Sequence, residues 1–208
     1  YPNGKEVLSP GTVIISAMGE VTDVKKAVSP SLVPDAETTL LYIDMSSDAL
    51  QLGGSSFAQA INQLGRTAPT IKDTAYFARV FDTVQELVAE RHILAGHDVS
   101  AGGTITALLE LCFTVPDWGL QVDLSKLGDD DLIKTLFAEN PALLLQVAKG
   151  SPAFAELDKA GIRYHQLGSP VQERNLQVLY KEHTFDFDID ELRDTWVKTS
   201  YLLDRQQT

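Results

Sequence analysis

Apolar residues along the chain follow two kinds of pattern. Short β-branched runs bounded by turn residues predict strands, whereas apolar residues spaced three and four apart predict helices. The predicted strands cover residues 11–21, 38–46, 93–100, 119–125, 142–148, 162–168 and 175–188. The predicted helices cover a short stretch at the basic pair 25–26, then residues 73–92, 103–113 and 130–140, a segment starting at 151–152, and residues 189–206.

Strands and helices interleave from one end of the chain to the other. This order predicts an α/β (α+β) fold class with a mixed β-sheet covered by helices. The apolar pattern continues without a low-complexity linker, so we expect one compact domain over 1–186. Residues 187–208 are predicted to form a C-terminal helical arm, with Leu192, Trp196, Thr199 and Leu203 on one face.

The stretch HDVSAGG, residues 97–103, joins a predicted strand to a predicted helix. An aspartate there can hold Mg²⁺, and a hydroxyl and helix-start amides can meet phosphate oxygens, while adjacent glycines let the backbone approach a ligand. The candidate residues are Asp98, Ser100, Gly102 and Gly103. The alternative is that Asp98 and Ser100 only cap the helix and the glycines only make the turn.

A second glycine pair lies in LGGSSFAQA, residues 52–60, again ahead of a predicted helix. Gly53, Gly54 and Ser55 are therefore further candidates for anion binding, because a helix start offers unpaired amides and a positive dipole end. Neither loop has the spacing of a P-loop.

The remaining polar candidates have simpler explanations. His92, His165 and His183 show no partner at metal-ligand spacing. Glu110 could face a site, although a glutamate in an apolar helix more often reaches solvent. The three aspartates at 129–131 are interpreted as a solvated helix start rather than a metal site. Cys112, the only cysteine, is expected to be a buried and inert thiol.

The charge and composition of the chain argue against several classes of function. With 29 acidic and 17 basic residues the net charge is −12, which disfavours nucleic acid and anionic membrane surfaces as partners. No apolar stretch approaches the roughly 20 residues of a membrane span, and the start carries no signal pattern, so we expect a cytoplasmic protein. The chain opens without methionine, which indicates a piece of a larger protein.

Several motifs together resemble one family. HDVSAGGTITALLELCF, SPGTVIISAMGEVTDVKKAVSP, LLYIDMS, LGGSSFAQAINQLG and LRDTWVKTSYLLDR are similar to phosphoribosylformylglycinamidine synthases of the large, single-chain type. The resemblance covers nearly the whole chain. It corresponds to the second AIR-synthetase-like C-terminal domain, just ahead of the glutaminase domain.

The resemblance implies roles for particular residues. It makes Asp98 a ligand of Mg²⁺ and Ser100 a contact of bound ATP or ADP, at an auxiliary site that retains nucleotide structurally. The family usually has an acidic residue where this chain has Ala101. It further implies two partners within the same chain, a preceding ATP-binding half-domain and a following glutaminase domain. Formylglycinamide ribonucleotide would be the substrate of the whole enzyme. The isolated piece is expected to be inactive and to self-associate through apolar surface that its neighbours normally cover.

Two other function classes stay open at this point. One is a domain of a related ATP-using enzyme, such as a selenophosphate synthetase or a thiamine-phosphate kinase. The other is a non-catalytic binding or scaffolding domain, in which Asp98 and Ser100 would be incidental.

Overall fold

The structure is a computed structural model, and it describes residues 4, 14–21, 23–127 and 130–207. In the described part the strands are β1 Thr38–Asp44, β2 Ala95–Val99, β3 Gly119–Asp123, β4 Ala142–Ala148, β5 His165–Val171, β6 Asn175–Tyr180 and β7 His183–Asp188. The helices there are α1 Ser56–Ala60, α2 Thr74–Ala89, α3 Gly103–Phe113, α4 Leu132–Phe137, α5 Ala153–Lys159 and α6 Ile189–Gln207.

The seven strands form one sheet in the order β2-β4-β1-β5-β3-β6-β7. All neighbours are antiparallel except β3 and β6, which are parallel. The predicted mixed sheet is therefore confirmed. The predicted strand over 175–188 is a hairpin, which turns at Lys181 with φ of 55°.

Alternating side chains of β1 enter two separate cores. Leu41 and Ile43 pack with α2 and α5, whereas Leu40 and Tyr42 pack with α3 on the other face. Helices thus cover both faces of the sheet near β1, as the apolar run of this strand predicts. Further along, Gln121 of β3 is exposed on the face opposite the α3 core and donates a hydrogen bond to Gln177 of β6, at 2.6 Å.

The strand predicted over 11–21 is wrong for the part that the structure describes. Residues 11–13 lie outside the described residues, and 14–21 form no strand. Ile14 and Met18 are 87% and 101% exposed. A β-branched run becomes a strand only where another strand supplies hydrogen bonds, and no described strand pairs with 14–21.

The short helix predicted at the basic pair is a single 3-10 turn, Val24–Lys26. The Asp23 carboxylate caps this turn by accepting from the Lys25 amide at 3.0 Å. Three residues are too few to bury an apolar face, and this turn contains no buried residue.

The interpretation of 129–131 as a helix start is confirmed for its described members. Asp131 caps α4 by accepting from the Ile133 amide at 2.9 Å. Asp130 pairs with Lys181, also at 2.9 Å, which lowers the pKa of the Asp130 carboxyl. Asp129 lies outside the described residues.

The C-terminal arm begins packed and ends exposed. Ile189 is fully buried, and Leu192 packs against the α3 core. The Trp196 ring lies 5.7 Å from the Phe113 ring, yet Trp196 is 57% exposed and Leu203 is 56% exposed. The predicted apolar face is therefore only half covered in this chain.

Candidate functional site

The loop between β2 and α3 presents two polar side chains to solvent. The Asp98 side chain is 72% exposed, and Ser100 is exposed in the turn. The N-cap of α3 is Gly102, which makes no side-chain capping bond. Among the described residues, therefore, neither Asp98 nor Ser100 does the capping that the simpler explanation requires.

The glycines of this loop are needed by the backbone. Gly102 and Gly103 have φ of 90° and 75°, in the left-handed region that favours glycine. A Cβ on Gly103 would lie 2.6 Å from the Leu136 carbonyl oxygen. The loop therefore touches the end of α4, an approach that a larger residue would prevent.

The second glycine loop uses its own donors internally. The Gly53 amide donates to Thr67 at 2.9 Å, and the Gly54 amide donates to Leu64 at 2.7 Å. Ser55 is buried, and its hydroxyl donates to the Leu52 carbonyl at 2.8 Å while accepting from the Ala58 amide. Ser55 is thus the N-cap of α1, and the loop is a closed turn.

One carboxylate joins the two loops. Oε1 of Glu139 accepts from the Ser56 amide at 2.7 Å and from the Gly102 amide at 2.8 Å. The rings of Phe57 and Phe137 stack beside this contact with centroids 4.7 Å apart. Sequence reasoning missed Glu139, because an acid just past the end of a helix gives no signal of which amides it meets in space.

A second acidic residue also faces the loop. Nε2 of His97 lies 3.2 Å from a Glu110 carboxylate oxygen, and Nδ1 lies 2.7 Å from the Asp98 carbonyl oxygen. The imidazole can donate to both oxygens at once only when it carries both ring hydrogens. Of the two alternatives for Glu110, the structure favours an inward contact, since its side chain is 25% exposed and ties α3 to β2.

The other histidines lie apart from this loop. His92 is 3.3 Å from Glu90, and His183 is exposed at the start of β7. His165 lines a separate cavity of about 360 Å³, together with Asp44 and Arg163. Burial, with the nearby cations Lys126 and Arg163, lowers the pKa of His165.

This lowered pKa predicts a loss of stability in mild acid. Below about pH 6.5 the unfolded chain takes up a proton at His165 that the folded chain refuses, so stability should fall as the pH drops toward the folded pKa. Thermal melting at about pH 7 and pH 5.5 should therefore show a smaller loss for His165→Gln than for the parent chain. His183→Gln is the control, and an equal loss in all three proteins would contradict the prediction.

The site offers one oxygen ligand suited to Mg²⁺. Asp98 presents a carboxylate, the donor that this cation prefers, and Nδ1 of His97 lies 3.8 Å from it, beyond hydrogen-bond distance. Within the part of the chain that the structure describes, no three histidine, cysteine or acidic side chains cluster as a metal site.

Cys112 is the buried thiol that the sequence predicts. It lies in α3 with no exposed surface, and burial raises the pKa of its thiol to about 12. A thiol with so high a pKa is protonated and unreactive at neutral pH. None of the described helices is long and apolar enough to cross a membrane.

The fold is a mixed seven-stranded sheet in which one carboxylate joins two glycine loops. The chain belongs to the family "AIR synthase related protein, C-terminal domain", whose model matches residues 39–181. This match confirms the fold that the sequence motifs indicated.

Relatives of known name match along the chain. It is 32% identical over 211 residues to "Probable phosphoribosylformylglycinamidine synthase, chloroplastic/mitochondrial" of Arabidopsis thaliana, covering 100% of this chain and 15% of that protein. It is 35% identical over 215 residues to the human phosphoribosylformylglycinamidine synthase, covering 97% of this chain and 15% of that one. The chain therefore spans about 15% of the length of these relatives.

Solved structures share the fold. PurL from Thermotoga maritima complexed with FGAR superposes with a TM-score of 0.63 at 17% identity, over 82% of this chain and 30% of that one. The same protein complexed with ATP gives 0.61 at 17% identity, over 82% of this chain and 28% of that one.

Proposed function

We propose that this chain is one domain of an ATP- and glutamine-dependent ligase that converts formylglycinamide ribonucleotide to formylglycinamidine ribonucleotide. Within it, the 98–103 loop would serve an auxiliary site that holds ATP or ADP with Mg²⁺. The main support for this site is the exposure of Asp98 and Ser100. Both are exposed at the start of α3, and neither caps it.

Each residue of the 98–103 loop would have its own role in binding. Asp98 would hold the cation, which neutralises phosphate charge when bound. Ser100 would contact the phosphate oxygens at the start of α3, where the helix dipole favours an anion. Gly102 and Gly103 would shape the turn, because their amides already donate to Glu139 and to the Ser100 carbonyl. Ala101 carries no charge, so the loop offers one carboxylate to the cation instead of two.

The second loop, residues 52–60, would support the nucleotide site without contacting the nucleotide. The donors of Gly53, Gly54 and Ser55 already have acceptors within the chain. Their role in nucleotide binding would therefore be indirect, through the shape of the turn that brings the Ser56 amide to Glu139.

The flanking domains are part of the proposal. We assign 1–186 to the AIR-synthetase-like domain and 187–208 to a helix leading toward a glutaminase domain, which would supply ammonia from glutamine. The exposed Ile14 and Met18 would contact the preceding ATP-binding half-domain, and the exposed Trp196 and Leu203 the following one. Both exposed sets would also favour self-association of the isolated piece. We place the enzyme in the cytoplasm, where the Cys112 thiol stays reduced.

Turnover tests this proposal. The full-length protein that contains this chain should form the amidine from formylglycinamide ribonucleotide, ATP and glutamine. The 208-residue chain alone, supplied with ammonia instead of glutamine, should not, because the substrate is not positioned without the other domains. A full-length protein without this activity would refute the function, and turnover by the 208-residue chain would refute its assignment as one domain of several.

A further inference from the structure

The contact between Glu139 and the two glycine loops has a geometric consequence. Because a single oxygen accepts from both amides, the nitrogens of Ser56 and Gly102 cannot lie further apart than the two bond lengths combined. These amides are 46 positions apart in sequence. The separation of the two loops is therefore set by one side-chain atom.

The two hydrogen bonds to Glu139 Oε1 hold the Ser56 and Gly102 amides close together. The donor–acceptor distances of 2.7 and 2.8 Å lie at the short end of the range for N–H···O hydrogen bonds. Glu139 is only partly exposed, so water competes less for its oxygen than at an open surface.

The segment that carries Glu139 is itself fixed on both sides. Phe137 stacks on Phe57 of α1, and the backbone at Leu136 lies against Gly103. The neighbouring Asn140 is 1% exposed, and its amide side chain accepts from the Gln51 backbone and donates to the Ala49 carbonyl. The 136–140 segment thus forms a rigid brace between the two loops.

We propose that Glu139 is the positioning residue of the nucleotide site, an inference that rests on the proposed function. Its Oε1 atom fixes the turn at Gly102 and so sets where Asp98 and Ser100 stand relative to the second loop. Glu139 does not itself bind the nucleotide, because a carboxylate repels phosphate and its Oε1 already accepts from the Ser56 and Gly102 amides. The acceptor geometry of the oxygen matters for this role, and its negative charge does not.

The test compares two substitutions that separate the oxygen from the charge. Glu139→Gln keeps an acceptor oxygen, whereas Glu139→Ala removes it. Nucleotide released on denaturing the purified full-length protein should stay within about twofold for Gln and fall at least about tenfold for Ala, since small misplacements of a site have effects of this size. Hydrogen exchange should show the peptides containing Ser56 and Gly102 losing protection together in Glu139→Ala and keeping it in Glu139→Gln.

A matched core variant controls for lost stability. Val178→Ala truncates a fully buried side chain of β6 away from both loops, so it should lower the melting temperature and leave the nucleotide content unchanged. If Glu139→Ala keeps its nucleotide while the parent protein contains it, the positioning role is overturned and the proposed function stands. A rise in nucleotide in either Glu139 variant also overturns it, because the carboxylate would then compete with phosphate. A parent protein that contains no nucleotide overturns the proposed auxiliary site and this inference together.

Discussion

Asp98→Asn should empty the auxiliary nucleotide site of the full-length protein while the domain stays folded. Asparagine keeps the size of the side chain but removes the charge that a hard divalent cation requires. Since Gly102 is the N-cap of α3, Asp98 has no capping bond to lose. We therefore expect a stability change of at most about 1 kcal/mol and a nucleotide content reduced at least about tenfold.

The measurement is nucleotide and Mg²⁺ released on denaturation, alongside thermal melting of parent and variant. Asp82→Asn is the matched control, because Asp82 is an exposed carboxylate on α2, away from the loop. Undiminished nucleotide and Mg²⁺ in Asp98→Asn would reject the ligand role. A comparable loss in Asp82→Asn would point to an effect of net charge instead.

Arg174→Met should give a large loss of stability. The guanidinium donates to the carbonyls of Cys112 and Val115 at 2.7 and 2.6 Å, just where α3 ends. It also donates to the Asp190 carboxylate at 2.8 Å and so joins α3 to the start of α6. Methionine fills a similar volume but removes the charged donor from the α3 carbonyls, while Asp190 keeps its bond to Arg193. The free energy of unfolding should therefore fall by about 3 kcal/mol.

Denaturant unfolding of the parent chain and the variant measures this change. Arg193→Met is the control, since Arg193 pairs with the same Asp190 carboxylate but is 38% exposed and reaches no α3 carbonyl. Its cost should stay below about 1 kcal/mol, as for other surface ion pairs. Equal losses in the two variants would mean that the ion pair, and not the carbonyl contacts, carries the effect.

The local pattern of the chain was enough to predict most of its elements. The apolar run in 38–44, the helical spacing in 74–89 and the apolar run in 103–113 each correspond to an element of the structure. These predictions hold because a strand or helix shows its buried side through a period that neighbouring residues share. Strand order could not be predicted this way, because nothing local shows that β4 lies between β1 and β2.

For the candidate site, too, some features follow from local sequence and others from the fold. The sequence by itself determined the loop chemistry, a carboxylate, a hydroxyl and two glycines ahead of α3, because these depend on residue type and short spacing. Only the tertiary structure decided that Asp98 does not cap α3, that Glu110 meets His97, and that Glu139 joins the loops. It likewise decided that, among the described residues, the β-branched run at 14–21 has no strand beside it. Each depends on partners distant in sequence, and a hydrogen bond between them forms only when the whole fold brings donor and acceptor within about 3 Å.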